Sequence, residues 1–472
     1  MQQRLGRLCC GGASLIWCYN HTSMQDYWYN NAQPSGLSGL SFKNMIGGVK
    51  MAITFNILLS LLGIACGAAL IVRWAVCLTP KKLECGAAEW KSGNKPLVFK
   101  ELFLVFSAAI GFRILIYVIS SAYLSFTGGT PLPEGMVRWD AAHYIGLAQR
   151  GYDGYIEDGK HIFLVFFPLY TWILRAFNFI IPNAAVAGMG ISSVCYGIGC
   201  CFLYALCKKR YSKGTAVMAV VFISVFPFSF FYGGIMTEGL FFMTAAAALY
   251  YTSGHRWLLA GVFGALAALT RMNGVLLIAA AGAELFEYYK PLDGRFKINR
   301  RNLIEAVKRL PLVFLPIIGT FIYLGLNWYI DGSPFAFVTH QEHWHQGAMW
   351  FSQTLAYIAE NAFGHMGEPI AACVWIPELL IFIAFFILIV FSMAKKKNPN
   401  FILIFAFLSL ISNYSLSWLL SAGRYVSAVP AFFILLAAVL EKKKALGLII
   451  ACGMFMLLVA YLFGFLSGQQ IM

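Results

Sequence analysis

The feature that most constrains this chain is a succession of apolar segments separated by short polar connectors. A helix needs about 20 apolar residues to cross the hydrocarbon core of a membrane. From Met51 onward such segments follow one another almost without interruption, and they predict spans at residues 53–76, 101–125, 184–206, 215–231, 239–253, 257–270, 274–288, 311–329, 372–394, 400–419, 424–440 and 445–466. The pattern indicates an all-α, polytopic transmembrane bundle of about 12 spans.

Composition supports a membrane protein and argues against a nucleic-acid-binding protein. Hydrophobic residues make up 60% of the chain and charged residues only 12%, whereas soluble domains have about 25% charged residues. The net charge of +15 comes largely from runs such as Lys208-Lys209-Arg210 and Lys395-Lys396-Lys397, which lie in connectors. That distribution is typical of the positive-inside rule and leaves no folded basic face, so we predict membrane lipids as partners and no nucleic acid.

The chain divides into four parts by character. Residues 1–50 are rich in Ser, Asn, Gly and Tyr and predict a poorly ordered tail, and residues 51–100 predict a first span followed by a basic cytoplasmic loop. Residues 101–440 predict the main transmembrane domain, with outer loops at 126–183 and 330–371, and residues 441–472 predict a last span and a short tail.

The basic connectors also orient the bundle. Residues 162–181 are apolar enough to cross, but counting them as a span would place Lys208-Lys209-Arg210 on the outer side. We therefore predict that this segment lies in the outer interface, where Pro168, Arg175 and its aromatic residues fit. Most of the unusual polar residues then fall on the outer face.

One polar segment in the first outer loop is the leading candidate for chemistry. It contains Arg138, Trp139, Asp140, His143 and Tyr144, and helical spacing would put Asp140, His143 and Tyr144 on one face. A carboxylate at a membrane surface can act as a general base. The competing interpretation is an interfacial helix with an N-cap aspartate and an aromatic belt.

Two outer turns and one helix start add further charges. Glu238 follows the span that ends near Phe231, Arg271 and Asn273 lie in a turn between two apolar segments, and Arg424 lies in another such turn. Guanidinium groups suit phosphate because they donate two hydrogen bonds at once. The structural alternatives are that Glu238 only stabilises the N-terminus of a helix and that the arginines only anchor the chain at the membrane interface.

The second outer loop contains Gln341 and His343 within a histidine-rich stretch. The spacing of its histidines is not that of a helical zinc motif, and the twelve cysteines form no CxxC pair, so we predict no metal site. A loop that contacts the acceptor substrate is the favoured interpretation.

In combination these segments resemble the PIG-V family of mannosyltransferases. The resemblance rests on Arg-Trp-Asp-x-x-His-Tyr at 138–144, Gly-Tyr at 151–152, Phe-Phe-Pro-Leu-Tyr at 166–170, a glutamate turn at 232–238 and Thr-Arg-x-Asn-Gly at 270–274, and it covers about residues 101–440. It implies a GT-C fold, with 101–440 as the catalytic domain. Thr171 stands where the family motif ends in proline, and Thr237 replaces the usual serine, so the chain resembles a distant member, with a bacterial one favoured.

The resemblance implies a function for the candidate residues. The family is expected to transfer mannose, or here a related hexose, with inversion from a polyprenyl or dolichyl phosphate to a lipid-linked or surface glycan acceptor. Asp140 is the expected base, and the expected substrate-binding residues are Arg138, Trp139, His143, Tyr144, Glu238, Arg271, Asn273, Arg424, Gln341 and His343. The lipid-linked donor is a substrate, so no cofactor is predicted. The expected location is the bacterial plasma membrane, or the endoplasmic reticulum in a eukaryote, with the site on the outer or lumenal face.

Two other classes of function remain open on the sequence alone. A transporter or lipid flippase would place its essential polar residues at mid-bilayer along a path, whereas here they gather at the outer surface. A noncatalytic subunit of a glycosylation complex would have lost its base, and the presence of Asp140 argues against that.

Overall fold

The structure is a computed structural model that describes residues 42–79, 98–293 and 297–471. The chain divides into two units, residues 1–55 and 56–472, and the account below concerns the second. Residues 1–41 of the predicted tail and most of the predicted basic loop at 77–100 lie outside the described residues.

Throughout the described ranges the chain is helical, and its only β-type pairings are isolated bridges. In chain order the α-helices are α1 (Phe42–Cys77), α2 (Phe99–Thr127), α3 (Asp140–Gly154), α4 (Pro168–Asn178), α5 (Ala184–Arg210), α6 (Lys213–Val225), α7 (Glu238–Ser253), α8 (Trp257–Thr270), α9 (Leu277–Tyr289), α10 (Arg300–Val313), α11 (Pro316–Asp331), α12 (Ala336–Gln341), α13 (Phe351–Gly364), α14 (Ile376–Met393), α15 (Asn400–Asn413), α16 (Ala422–Ser427), α17 (Pro430–Leu440) and α18 (Lys444–Leu466). The all-α membrane fold predicted from the sequence is therefore confirmed.

The number of crossings is not confirmed. Six helical segments among the described residues are long and apolar enough to cross: 54–77, 99–127, 184–210, 300–331, 371–393 and 444–466. Of the other predicted spans, 257–270 coincides with a helix of 14 residues, whereas 424–440 contains a helix of only 11 residues that begins at Pro430. At 1.5 Å per residue these are only about 16–21 Å long, too short to cross alone. Turns of 3₁₀ helix at 229–233 and 272–276 interrupt the apolar runs.

The segment at 162–181 forms a short helix rather than a full span. It contains a 3₁₀ turn over Ile162–Val165 and then α4, whose 11 residues begin with Pro168 at the first helical turn. Proline suits that position because its missing N–H has no partner there. A helix of about 16 Å is too short to cross a hydrocarbon core of about 30 Å.

The lysine-rich connectors meet at one end of the bundle. Arg73 donates to the carbonyl oxygens of Lys395 and Asn398, and Tyr211 donates to Asn398 Oδ1 at 3.0 Å. Arg210 bonds to Ser253 Oγ at 3.0 Å at the end of α7. This end is called the basic end below, and α7, α8 and α9 run between it and the turns that contain Glu238 and Arg271.

A buried arginine holds the segment that leads into α7. Arg113, on α2, is 1% exposed, donates to the carbonyl oxygen of Ser229 at 2.5 Å, and lies 4.7 Å from the Tyr196 ring centroid. Carbonyl oxygens in the 3₁₀ turn lack helical partners, so the guanidinium satisfies one of them. This contact fixes the turn that precedes Glu238.

Candidate active site

The site begins at the N-terminus of α3. Asp140 is the first residue of this helix, and Trp139 before it has φ 52° and ψ −130°. A residue with a Cβ atom is disfavoured in that region by about 1–3 kcal/mol, so surrounding contacts must hold it there. Trp139 packs against the hydrophobic core, and its indole Nε1 is buried with no hydrogen-bond partner among the described residues. The strained turn fixes the position of Asp140.

Asp140 forms an ion pair with an arginine from a distant part of the chain. Arg424 Nη2 lies 2.7 Å from Asp140 Oδ2, and their side chains are 6% and 28% exposed. Arg424 belongs to the six-residue helix α16. The carboxylate of Asp140 is therefore partly exposed at the protein surface, while its partner, the guanidinium group of Arg424, is buried.

Glu238 joins this pair to a second arginine. Its Oε1 atom lies 2.8 Å from Arg271 Nη1 and 3.2 Å from Arg424 Nε. The contact with Arg424 is a charge contact, because Arg424 Nε is not aligned for a hydrogen bond. Glu238 is the first residue of α7, where a carboxylate is favoured by the helix dipole. Asp140, Arg424, Glu238 and Arg271, called the charge cluster below, have a formal charge of zero.

Arg271 is positioned by a tightly packed turn. A Cβ atom at Gly274 would overlap the backbone of Ala267 and Ala268, so glycine is required there. Asn273 donates to Asn413 Oδ1 at 2.5 Å and accepts from Ser412 Oγ at 2.8 Å, which joins the turn to α15. Arg271 remains 17% exposed and is the more accessible of the two arginines.

An aromatic ring stabilises both guanidinium groups. The ring centroid of Tyr425 lies 4.7 Å from the Arg271 guanidinium carbon and 5.2 Å from that of Arg424. Contacts of this kind are worth about 0.5–2 kcal/mol, more when they are desolvated. Tyr425 therefore helps to keep two like charges close together.

Tyr144 lies on the buried side of α3. It is 7% exposed, and its ring packs edge-on against Phe166 at 5.1 Å and Tyr170 at 5.2 Å. Burial, with the negative charges of Asp140 and Glu238, raises the pKa of Tyr144 well above its ordinary value. Its hydroxyl therefore stays protonated and can serve as a hydrogen-bond donor.

The other predicted residues of the first outer loop have structural partners. Arg138 donates to the carbonyl oxygens of Leu466 at 2.6 Å and Gly135 at 3.2 Å, so it joins the loop to the end of α18. His143 Nδ1 lies 3.1 Å from the Tyr155 hydroxyl. Neither side chain is in the charge cluster.

The two loops that the sequence predicts to be outer loops meet through an aromatic contact. Trp344 lies 5.6 Å from the His143 ring and 6.2 Å from the Phe166 ring, both edge-on. Gln341 donates to Gln346, and His343 is exposed with its ring against Trp344. Gln341 and His343 therefore lie in the loop that reaches α3 through Trp344, and among the described residues their contacts are with Gln346 and Trp344 rather than with the charge cluster.

Three contributing residues were not singled out from the sequence. Tyr425 and Trp344 have the roles given above. Each directly follows a candidate site residue, Arg424 and His343 respectively, and this position was the available signal. The third is Glu378, which is 2% exposed and whose Oε1 accepts from the backbone N–H of Ala422 at 2.8 Å. It thereby fixes the start of α16 and so the position of Arg424. A lone acidic residue in the apolar run 372–394 was the available signal.

The described residues contain no group of three or more His, Cys, Asp or Glu side chains that could hold a metal ion. The chemistry available to the charge cluster itself is proton transfer by an accessible carboxylate and electrostatic stabilisation of an anion by guanidinium groups.

The fold and the cluster define a helical integral membrane protein with a charged, partly accessible site. Within it, residues 167–292 match the family model described as dolichyl-phosphate-mannose-protein mannosyltransferase. This segment includes Glu238 and Arg271 but neither Asp140 nor Arg424. A search of curated proteins gives no match.

Solved structures give weak overall similarity. A structure of the Saccharomyces cerevisiae protein O-mannosyltransferase Pmt1-Pmt2 complex bound to the sugar donor has a TM-score of 0.38 and 14% identity, over 55% of this chain and 37% of that chain. The Archaeoglobus fulgidus oligosaccharyltransferase with Zn and sulfate has a TM-score of 0.41 and 13% identity, over 75% of this chain and 53% of that chain. The chain thus spans about half or less of the length of these structures.

Proposed function

We propose that this protein is a membrane glycosyltransferase of the GT-C class that transfers mannose, or a related hexose, from a polyprenyl or dolichyl phosphate to a lipid-linked or surface glycan. The observation that supports this most directly is the charge cluster, in which the accessible carboxylate of Asp140 pairs with Arg424, and the buried carboxylate of Glu238 joins Arg424 to the more accessible Arg271. The match over residues 167–292 and the resemblance to the PIG-V family favour the same reaction class.

Asp140 acts as the general base in this proposal. It takes the proton of the acceptor hydroxyl, whose oxygen forms a bond to the anomeric carbon while the bond from that carbon to the phosphate oxygen breaks. The electron pair of the broken bond leaves with the lipid phosphate. Because a single in-line displacement needs no covalent sugar–enzyme intermediate, the product has the inverted configuration.

The arginines stabilise the departing phosphate. Arg271 is 17% exposed against 6% for Arg424, so Arg271 is the first phosphate ligand and Arg424 orients Asp140 in the resting site. Fixed positive groups stabilise developing charge more in the transition state than in the ground state. Glu238 is 1% exposed and serves as a positioning residue that holds both guanidinium groups.

The remaining predicted residues take supporting roles. Trp139 and Tyr144 flank Asp140, and Tyr144 presents a protonated hydroxyl. Asn273 fixes the Arg271 turn, while Arg138 and His143 hold the first outer loop. Gln341 and His343 lie in the loop that reaches α3 through Trp344, where an acceptor glycan could be contacted. The site faces the outer or lumenal side in this proposal, with a bacterial plasma membrane favoured.

The test is a donor screen. The full chain, purified in lipid nanodiscs, is incubated with polyprenyl phosphates carrying mannose, glucose or galactose and a mixture of glycolipid acceptors. Mass spectrometry should detect free polyprenyl phosphate from one donor and an acceptor whose mass has grown by one hexose. In sealed vesicles, movement of the lipid-linked sugar across the membrane without either product would instead identify a flippase and refute the proposal.

A further inference from the structure

A second site of different character lies at the basic end of the bundle. A cavity of about 450 Å³ opens between the turn that joins α7 to α8, the end of α9, and α10. The charge cluster lies at the other end of α7, whose 16 residues separate Glu238 from Ser253 by about 23 Å. The cavity is therefore remote from the proposed transfer reaction.

The polar lining of this cavity is positive. Arg256 and Arg309 both line it, and no carboxylate does. Neither arginine forms an ion pair within the ranges that the structure describes. Two acidic groups beside this lining are already engaged: Glu284 with Arg210 and with the cavity residue His255, and Glu305 with Lys308. Two guanidinium groups thus share one opening without a bound counter-charge, an arrangement that suits phosphate.

The rest of the lining is aromatic and aliphatic. Trp257, Tyr288 and Tyr289 contribute rings, and Leu258, which is 55% exposed, adds an apolar wall. Aromatic residues near the lysine-rich end of a transmembrane bundle are typical of a membrane interface. A soluble anion would gain nothing from the exposed leucine, whereas a lipid places its phosphate and the start of its acyl chains side by side.

We propose that this cavity binds the headgroup of an anionic membrane phospholipid, with the phosphate between Arg256 and Arg309 and the glycerol and upper acyl chains against Leu258 and the aromatic rings. The juxtaposition of paired arginines with exposed apolar side chains at the lysine-rich end distinguishes a lipid from free phosphate. Each basic residue near an anionic headgroup contributes about 1 kcal/mol.

The experiment measures lipid binding to the full chain by native mass spectrometry in detergent, with phosphatidylglycerol, phosphatidylcholine and inorganic phosphate as probes. The wild type is expected to retain one phosphatidylglycerol in preference to phosphatidylcholine. In R256Q/R309Q the dissociation constant for phosphatidylglycerol should rise about thirtyfold, which corresponds to two contributions of about 1 kcal/mol. Inorganic phosphate at equal concentration should not displace the lipid.

The matched control is R300Q/R301Q. It removes two exposed arginines from the start of α10, the helix that contains Arg309, and neither of them lines the cavity. Its dissociation constant should change less than about twofold, because only the general surface charge is altered. If the dissociation constant for phosphatidylglycerol rises equally in both double variants, general attraction between the basic surface and the anionic lipid explains the binding, and the proposal is overturned. Equal retention of phosphatidylcholine by the wild type, or displacement by inorganic phosphate, would also overturn it. The wild-type comparisons decide the matter even if a variant fails to fold.

Discussion

Replacement of Asp140 by asparagine should strongly lower the rate of transfer while leaving the free energy of unfolding almost unchanged. Asp140 is 28% exposed, and the amide oxygen of asparagine can occupy the position of Oδ2 and still accept from Arg424 Nη2, now 2.7 Å away. Arg424 also keeps its 3.2 Å contact with Glu238, so it does not become an unpaired buried charge. We expect the free energy of unfolding to fall by only about 0–1 kcal/mol, as for a partly exposed ion pair.

The loss of activity should be much larger. A general base contributes about 10²–10⁴-fold to a rate, which equals about 3–5 kcal/mol on the activation barrier. Glu238→Gln should lower stability as well as activity, because it removes the buried carboxylate that positions both arginines. Breaking a buried ion pair from one side costs about 3–5 kcal/mol of stability. The two neighbouring carboxylates are therefore distinguishable by whether the free energy of unfolding falls together with the rate.

The assay combines release of polyprenyl phosphate, followed by mass spectrometry, with thermal unfolding in the same detergent. Asp153→Asn is the matched control, since Asp153 is an exposed carboxylate on the same helix and outside the cluster. Its rate should stay within about twofold of wild type, as is usual for surface substitutions. Transfer by Asp140→Asn at more than about a tenth of the wild-type rate would refute the assignment of the base.

Three further predictions concern the arginines and their support. Arg271→Gln should lower kcat about 10²–10³-fold with partial recovery in Arg271→Lys, because lysine keeps the charge but not the two-pronged donor; steady-state kinetics test this. Gly274→Ala should lower the free energy of unfolding by about 1–3 kcal/mol through overlap with α8, whereas Gly282→Ala, whose nearest added contact is Val313 at 4.0 Å, should not, as thermal unfolding will show. Combining Asp140→Asn with Arg424→Gln should cost little more activity than the larger single change, and additive losses in kcat would contradict direct coupling.

The residues that form the charge cluster could be selected from the sequence, but their partners could not. Asp140, Glu238, Arg271 and Arg424 stand out because a charge between apolar segments is costly unless it is paired. The contact between Asp140 and Arg424 joins positions 284 residues apart, and helical spacing carries no information about such a pairing. Sequence reasoning could propose that the arginines face an external anion, but not that one buried carboxylate would hold both.

Helical spacing grouped Asp140, His143 and Tyr144 but gave no information about their contacts. All three lie on α3, and His143 packs among Phe163 and Phe166 and against Trp344 from the second predicted outer loop. Arg138 lies before this helix and bonds to the end of α18, a contact that local sequence does not reveal. The predicted count of about 12 spans is not confirmed for a related reason: apolar composition does not reveal where 3₁₀ turns such as 272–276 shorten a helix.

The neutrality of the charge cluster gives a reason why the proposed base should be bonded to the second arginine, Arg424, before the reaction. In the resting site Arg424 is neutralised by Asp140 at 2.7 Å and shares Glu238 with Arg271. When Asp140 takes the acceptor proton in the proposed reaction, it loses its charge, and the positive charge of Arg424 is no longer balanced. At that same moment the lipid phosphate gains negative charge. Proton transfer to the base would therefore increase the electrostatic stabilisation of the leaving group when it is needed, and a low local dielectric would strengthen the coupling.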